Sequence, residues 1–161
     1  MSHPNVQRVV AAGEALGITV TPTTFPEGTK TAADAAAAIG CTVGQIVKSL
    51  IFGVEHDGDT EIVLAYVSGA NQLDEHKLAE AAGAHRCQRV DADAVRAATG
   101  FPIGGVPPFG HTTQLRAFVD PDLLAHAEVW AAAGTWHDVF PLSPNDLVRA
   151  TGAQVTDLRR A

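Results

Sequence analysis

The chain has 161 residues, of which 46% are hydrophobic and 18% are charged, so we expect one globular domain over residues 1–161 rather than a disordered chain. Its net charge of −7 argues against broad binding along DNA or another nucleic-acid backbone, but leaves room for recognition of a small nucleic-acid terminus in a local pocket. The sequence has no apolar run near the about 18 residues that cross a membrane, no signal-peptide core, and only two cysteines without CxxC spacing, which together favour a reducing cytoplasm.

The first part of the chain predicts two helices and three strands. Thr31 and Asp34 resemble a capping box at the start of the second helix, and Asp57-Gly58 is a strong hairpin signal between the last two strands. The predicted elements are a helix capped by Asn5 and running to Leu16, a strand over residues 18–25, a helix between Thr31 and Gly40, and strands over residues 46–54 and 60–67.

The second part continues with further helices and strands and contains no repeats or linkers. Asp74, Asp91 and Ser143 are suited to capping helices. The predicted elements are helices over residues 74–82, 91–99 and 143–152, and strands over residues 85–90, 112–119, 127–134, 136–142 and 153–158. Because the strands cluster in hairpins, we predict an α+β fold, with a mixed, mostly antiparallel, curved and barrel-like sheet of about six to eight strands flanked by helices.

Lys48 lies inside the apolar run "VGQIVKSLIFGV", where strand alternation places it on the same face as Ile46, Leu50 and Phe52. An unpaired charge on a buried face is costly, so this position requires an explanation. Lys48 could pair with a buried carboxylate, extend past the end of the strand, or lie on an edge strand. Alternatively, it lines a pocket and receives a phosphate, a carboxylate or a developing oxyanion.

The segment "GGVPPFG", residues 104–110, is the second unusual feature. Its glycines allow close approach of the backbone to a ligand, and its two prolines stiffen the loop without supplying N–H donors. Donors for a ligand would therefore come from Gly104, Gly105 or Val106, beside a lysine that could stabilise charge on an acyl carbonyl. An ordinary ordered loop is the alternative. No Gly-Lys-Ser/Thr follows, so this is not a phosphate-binding P-loop.

The runs "IVKSLIF", "VSGANQLDEHKLAEAAGAHRCQRVDADAVRAATGFPIGGVPPFG" and the later "VD" resemble the YbaK/prolyl-tRNA-synthetase-associated editing domain family. The resemblance covers the chain from about Thr24 to the last predicted helix. Its specific marks are the lysine after the alanine-rich helix and the GxxxP loop, here Gly104 to Pro108. The resemblance implies a barrel-like sheet surrounded by helices and hydrolysis, in trans, of the ester between a wrong amino acid and a tRNA, usually tRNA(Pro).

The resemblance also implies roles for particular residues. Lys48 matches the essential lysine that holds the terminal adenosine and the substrate, and Gly104 matches the glycine whose backbone contacts the reacting ester. The remaining substrate-binding candidates are neighbours of that loop or positions matched to relatives: Gly105, Val106, Pro108, Phe25, Thr31 and His137. Phe25 and Thr31 also have ordinary structural interpretations, as a strand-end core residue and a helix cap.

The sequence offers no convincing protein nucleophile. It lacks Gly-x-Ser-x-Gly, Ser49 and Ser68 have no evident histidine partner, and the seven histidines are scattered without metal-binding spacing. We therefore expect no metal and no cofactor, with attack by water or by a substrate group such as a ribose hydroxyl or a cysteinyl thiol. Lys30, Lys48 and Arg116 would supply local positive potential for the tRNA acceptor end.

The preferred hypothesis is a trans-editing deacylase acting on Cys-tRNA(Pro), with prolyl-tRNA synthetase or an elongation factor as a further partner. Alanine and serine- or threonine-sized residues are alternative substrates, and Val139 stands near a position that is polar in some relatives. A non-catalytic tRNA- or protein-binding module is a second hypothesis. A Schiff-base enzyme that uses Lys48 is a third, and it requires burial to depress the lysine pKa.

Overall fold

The computed structural model describes residues 3–161, which form five α-helices, two short 3₁₀ turns and eight strands. Within these residues, no helix has the length and apolar character that crossing a membrane requires. The helices are α1 (Pro4–Ala15), α2 (Ala32–Ile39), α3 (Glu75–Ala82), α4 (Ala92–Thr99) and α5 (Pro144–Thr151). The strands are β1 (Thr23–Thr24), β2 (Val47–Glu55), β3 (Thr60–Ser68), β4 (Arg86–Arg89), β5 (Arg116–Val119), β6 (Val129–Ala132), β7 (Asp138–Leu142) and β8 (Gln154–Val155).

Local capping chemistry sets most helix boundaries where the sequence predicts them. The side chains of Thr31, Asp74, Asp91 and Ser143 each accept a hydrogen bond from a backbone N–H in the first turn of the helix that follows. The first helix differs from the prediction. His3 rather than Asn5 is its cap, with Nδ1 accepting from the Asn5 N–H at 3.0 Å.

The strands form two sheets. The larger has the order β4-β2-β3-β5-β8, with antiparallel pairing among β4, β2 and β3 and parallel pairing among β3, β5 and β8. The smaller has the order β1-β7-β6 and is antiparallel. The prediction of a mixed α+β fold is therefore confirmed. The sheet is not closed, so the barrel-like description is wrong, because open edges remain at both ends of each strand order.

The predicted strand over residues 18–25 is mostly absent. Only Thr23 and Thr24 pair, with Asp138 and Val139 of β7. Ile18 and Val20 are nevertheless buried in the main hydrophobic cluster, which explains their alternating pattern. The alternation of apolar and polar residues in this segment therefore reflects burial of one of its sides, although the segment around Ile18 and Val20 has no sheet partner.

The core lies on both faces of the larger sheet. Val47 and Ile51 join a cluster that also contains residues of the smaller sheet, whereas Phe52 and Val54 join a second cluster beneath α3. The predicted alternation of β2 is thus confirmed. By the same alternation Lys48, near the start of β2, lies on the face of Phe52.

Candidate active site

Lys48 lies on the free edge of β2. That strand pairs with β3 along its whole length, but with β4 only from Phe52 to Glu55. Along residues Lys48–Ile51, the edge of β2 that faces away from β3 is therefore not covered by β4. The half-buried Lys48 Nζ donates a hydrogen bond to the main-chain oxygen of Asn71, and burial lowers the pKa of the ammonium group below its ordinary value.

The acceptor of that bond is itself fixed. The Asn71 N–H donates to the Ser68 oxygen at 2.9 Å, and the Asn71 side-chain amide donates to Asp122 Oδ2 at 2.8 Å. Lys48 makes no ion pair with any carboxylate among residues 3–161. The charge of Lys48 is thus held by a neutral carbonyl and remains available to an anionic ligand.

A cleft of about 480 Å³ opens along this free strand edge. One side belongs to the segment after β3 and to the C-terminus, and the other belongs to α4 and the loop that follows it. Its lining residues are Lys48, Ser49, Leu50, Ile51, Phe52, Gln72, Leu73, Glu75, Arg89, Val90, Val95, Ile103 and Arg160. Its volume lies in the range typical of small-molecule sites.

The loop after α4 is held by two polar side chains, the buried Tyr66 and the half-buried His111. Tyr66 Oη donates to the Pro108 oxygen at 3.3 Å, and His111 Nε2 contacts the Pro107 oxygen at 2.6 Å. Burial lowers the pKa of His111 although its bond to Pro107 opposes that shift, and burial raises the pKa of Tyr66. Both side chains therefore act here as neutral donors that hold the proline pair in place.

Gly104 occupies the left-handed region with φ of +84°, which favours glycine. The Gly105 N–H closes a turn by donating to the Pro102 oxygen at 2.9 Å. Within residues 3–161, the N–H groups of Gly104 and Val106 have no protein acceptor. Of the three predicted donors, two therefore lack a protein acceptor, and of these two only Gly104 lines either cavity.

Gly104 also lines a second, smaller pocket of about 50 Å³. Thr31, the cap of α2, forms part of its wall, together with Val139 of β7. The complete lining is Thr29, Lys30, Thr31, Ala32, Ala35, Ile46, Val47, Gly104, Trp130, Ala131, Ala132 and Val139. Because Val47 and Gly104 line this pocket whereas their chain neighbours Lys48 and Ile103 line the cleft, the two cavities lie side by side.

Trp136 forms an exposed rim beside Gly104. Its indole Nε1 donates to the Ile103 oxygen at 2.7 Å, and Lys30 Nζ lies 4.0 Å from the centre of its ring. A Cβ added to Gly104 would lie 3.1 Å from Lys30 Cγ and 3.3 Å from Trp136 Nε1. A residue with a side chain at position 104 would therefore require the Lys30 and Trp136 side chains to shift.

The remaining predicted substrate-binding residues lie outside the walls of both cavities. Phe25 and His137 bond to one another, through Phe25 N–H to the His137 oxygen at 2.7 Å and between His137 Nδ1 and the Phe25 oxygen at 3.1 Å. Gly105 packs against the backbone of Thr135, and Val106 is buried in the main cluster. Pro108 faces a different cavity, beneath the loop.

Arg116 does not join the predicted positive group. It makes a bidentate contact with Glu61, at 3.1 and 2.8 Å, and donates to the Ala82 oxygen at 2.7 Å. The cleft instead contains Arg89 and Arg160, which sequence analysis did not identify because they come from segments remote from Lys48 in the chain. They could have been identified only from the fold, which shows which cations have no carboxylate partner.

No catalytic pair of a serine and a histidine is formed by the two serines considered. Ser68 Oγ donates to the Gly44 oxygen at 2.8 Å, and Ser49 Oγ has no hydrogen-bond partner. Among residues 3–161 there is also no group of three or more His, Cys, Asp or Glu side chains placed to hold a metal ion. The chemistry that this site offers is electrostatic: a held cation, free backbone N–H groups and a small pocket.

Comparisons with known proteins show what the chain is similar to. A solved structure assigned provisionally as a trans-editing enzyme for prolyl tRNA synthetase is 42% identical over 100% of both chains, with a TM-score of 0.91. The multifunctional Ser/Thr-tRNA deacylase ProXp-y of Escherichia coli K12 is 29% identical over 122 residues, which cover 75% of this chain and 73% of that protein. EbsC of Enterococcus faecalis, provisionally named a Cys-tRNA(Pro)/Cys-tRNA(Cys) deacylase, is 25% identical over 76% of this chain and 73% of its own length.

The family model described as the aminoacyl-tRNA editing domain matches residues 26–150, which include Lys48 and the whole 104–110 loop. The family resemblance predicted from those two features is therefore confirmed. The chain belongs to the aminoacyl-tRNA editing domain family.

Proposed function

We propose that this chain is a trans-editing deacylase that hydrolyses the ester of mischarged tRNA, with Cys-tRNA(Pro) as its substrate. Hydrolysis of aminoacyl-tRNA is the activity that its family membership supports. The relatives named as deacylases and the neighbour assigned to prolyl tRNA synthetase support the choice of tRNA and a role beside that synthetase. Such a role would place the protein in the cytoplasm, where tRNA is charged.

The observation that carries the proposal is the position of Gly104. Gly104, whose N–H has no protein acceptor within residues 3–161, lines the small pocket, while Lys48 lines the cleft. Ester hydrolysis builds negative charge on the carbonyl oxygen, and donors fixed in advance stabilise that charge without reorganisation. The Gly104 N–H, held by the stiff loop, is proposed to stabilise the oxyanion.

Lys48 is proposed to position the substrate rather than to move a proton. Its ammonium group is already oriented by the Asn71 carbonyl, so it can attract the ester and the terminal ribose with little loss of side-chain entropy. Water would attack the ester carbonyl directly, with a ribose hydroxyl orienting it, or would open the thiolactone formed by a first attack of the cysteinyl thiol. In either route the bond between the acyl carbon and the terminal ribose oxygen breaks, and that oxygen leaves with the proton that the attacking group loses.

The small pocket supports a small, weakly polar amino acid. Its volume of about 50 Å³ suits a side chain of very few heavy atoms, and its wall combines apolar residues, among them Val139, Ala131 and Ile46, with Thr29, Lys30 and Thr31. Against the apolar part of that wall cysteine fits better than serine, because a hydroxyl group loses more hydration than a thiol on leaving water. A pocket of this kind rejects a related side chain only weakly, by about 1–3 kcal/mol for one methylene group.

We also propose that the chain forms a single editing domain. Residues of both sheets meet in the main hydrophobic cluster, with Val47 and Leu64 from the larger sheet beside Val129 and Phe140 from the smaller. A shared core of this kind supports one cooperative unit rather than two.

A deacylation panel tests the proposed function. The purified chain is incubated with tRNA(Pro) charged with Cys, Ala, Ser or Thr, and release of the amino acid is followed at fixed salt. We expect release of cysteine to be fastest, with about a tenfold preference over serine, from a difference of about 1.4 kcal/mol.

Other outcomes of the panel decide between the alternatives. Faster release of serine or threonine would overturn the cysteine assignment and favour an activity like that named for the Escherichia coli relative. No release above the spontaneous rate from any of the four charged tRNAs would overturn the deacylase proposal and favour a binding module.

A further inference from the structure

Unpaired cations are concentrated beside Lys48. The chain has 11 Lys and Arg residues, all within the part that the structure describes, and five of them make ion pairs with carboxylates: Lys77, Arg86, Arg116, Arg149 and Arg159. Of the six that do not, three line the cleft: Lys48, Arg89 and Arg160. The cleft walls contain a single carboxylate, Glu75. A protein of net charge −7 thus has a locally positive cleft.

The two arginines reach the cleft from different segments of the chain. Arg89 is the last residue of β4, directly across from Phe52. Arg160 follows the bridge between Leu73 and Arg159, and its guanidinium is oriented by donation to Gln72 Oε1 at 2.8 Å. Both side chains are exposed, and neither is neutralised by a protein carboxylate. Their guanidinium groups are free to form bidentate contacts with phosphate.

We infer that the cleft binds the sugar-phosphate backbone of the single-stranded 3′ end of the tRNA, with Arg89 and Arg160 contacting its phosphates. The inference rests on the proposed function, since a charged tRNA presents the ester at the end of that strand. An ester placed at Gly104 would leave the preceding nucleotides against the adjoining cleft. Ile103, exposed at 46%, and the apolar edge of β2 offer surfaces on which bases can pack.

The arrangement also explains how an acidic protein can bind tRNA. Only a few phosphates of the 3′ end need to contact the protein. Binding of the rest of the tRNA therefore does not require a basic protein surface. Each phosphate contact made to a single strand changes the salt dependence of binding by about 0.7 in the slope of log K against log salt. Two arginine contacts therefore contribute a slope of about 1.4.

Binding of a short RNA tests this inference without requiring catalysis. The probe is a fluorescently labelled single-stranded RNA tetranucleotide ending in CCA, titrated with the wild type, Arg89→Gln, Arg160→Gln and the double variant at several salt concentrations. We expect each single variant to weaken binding about tenfold and the double variant to lose about 1.4 of the salt slope. Arg149→Gln, on α5, removes the same charge outside the cleft and should bind as wild type does.

The outcomes separate this inference from the proposed function. Unchanged affinity and an unchanged salt slope in the double variant would overturn the inference, even if the wild type releases cysteine from tRNA(Pro). Conversely, a wild type without deacylase activity whose RNA binding depends on Arg89 and Arg160 would keep the inference and overturn the function. Folding of each variant is checked by its urea unfolding midpoint, and partial recovery by Arg89→Lys would indicate a charge contact rather than a packing role.

Discussion

The ammonium group of Lys48 donates its hydrogen bond to the main-chain oxygen of Asn71, and no carboxylate in the described part of the chain neutralises it. A lysine that served only stability at a half-buried position would be expected to pair with an acid or to extend into water. Here the main-chain carbonyl of Asn71 orients the Lys48 charge instead, and the Asn71 side chain is held by Asp122. This arrangement is typical of a site that receives an anionic or polarised ligand.

Replacement of Gly104 by alanine should remove most deacylase activity. The added Cβ would meet Lys30 Cγ at 3.1 Å and Trp136 Nε1 at 3.3 Å, and φ of +84° strains any residue with a side chain. We expect a loss of about 1–2 kcal/mol of stability from the backbone strain, and a fall of about 100-fold in kcat because the N–H donor is displaced.

Gly58→Ala is the matched control for that variant. Gly58 has nearly the same φ, +83°, but an added Cβ there meets nothing within 4 Å. It should therefore show a similar loss of stability in urea unfolding and retain wild-type kcat. Equal activities of the two variants would show that the Gly104 N–H does not contribute to catalysis.

Trp136→Phe should loosen the loop without removing the aromatic surface beneath Lys30. The phenyl ring retains the cation–π contact, whereas the donor to the Ile103 oxygen is lost. Because that bond is partly exposed, we expect less than about 1 kcal/mol of lost stability, but about a fivefold fall in kcat/KM as Gly104 becomes less well fixed. Steady-state kinetics on Cys-tRNA(Pro) measure this, and an unchanged kcat/KM would exclude a role of the indole N–H in positioning the loop.

His111 should make the protein less stable as the pH falls from neutrality. Burial lowers its folded-state pKa below 6.5, so the unfolded chain takes up the proton first. Its contribution to stability is therefore complete above about pH 6.5 and is lost as the pH falls through 6.5 towards the lowered folded-state pKa.

Urea unfolding of wild type and His111→Gln between pH 5.5 and 7.5 tests that expectation. Glutamine keeps an N–H that can donate to the Pro107 oxygen but does not titrate. The variant should lose less stability than wild type on acidification. Parallel stability curves for the two proteins would show that His111 is not the group responsible.

Local signals predicted most of the architecture because local chemistry decides it. The caps at Thr31, Asp74, Asp91 and Ser143 hold the helices that they were expected to begin. Lys48 and Gly104 stand out in the sequence because each contradicts the pattern around it, a charge in an apolar strand and a flexible residue in a stiff loop.

Long-range pairing could not be predicted in the same way. The segment of Ile18 and Val20 alternates like a strand yet is buried without a sheet partner, and closure of the sheet depends on edges that no single strand specifies. Arg116 is neutralised by Glu61, 55 positions away, whereas Arg89 and Arg160 meet at the cleft from distant segments. Which cations remain unpaired is thus a property of the fold.

The most direct test of the account is single-turnover deacylation of Cys-tRNA(Pro) by Lys48→Met, which keeps an apolar stem of similar length and removes the charge. We expect the rate to fall at least about 100-fold while stability is unchanged or higher, since a desolvated charge has been removed. Lys77→Met, which removes a lysine paired with Asp157 outside the cleft, should react at the wild-type rate. A Lys48→Met protein that releases cysteine as fast as wild type would contradict the central role given to this lysine.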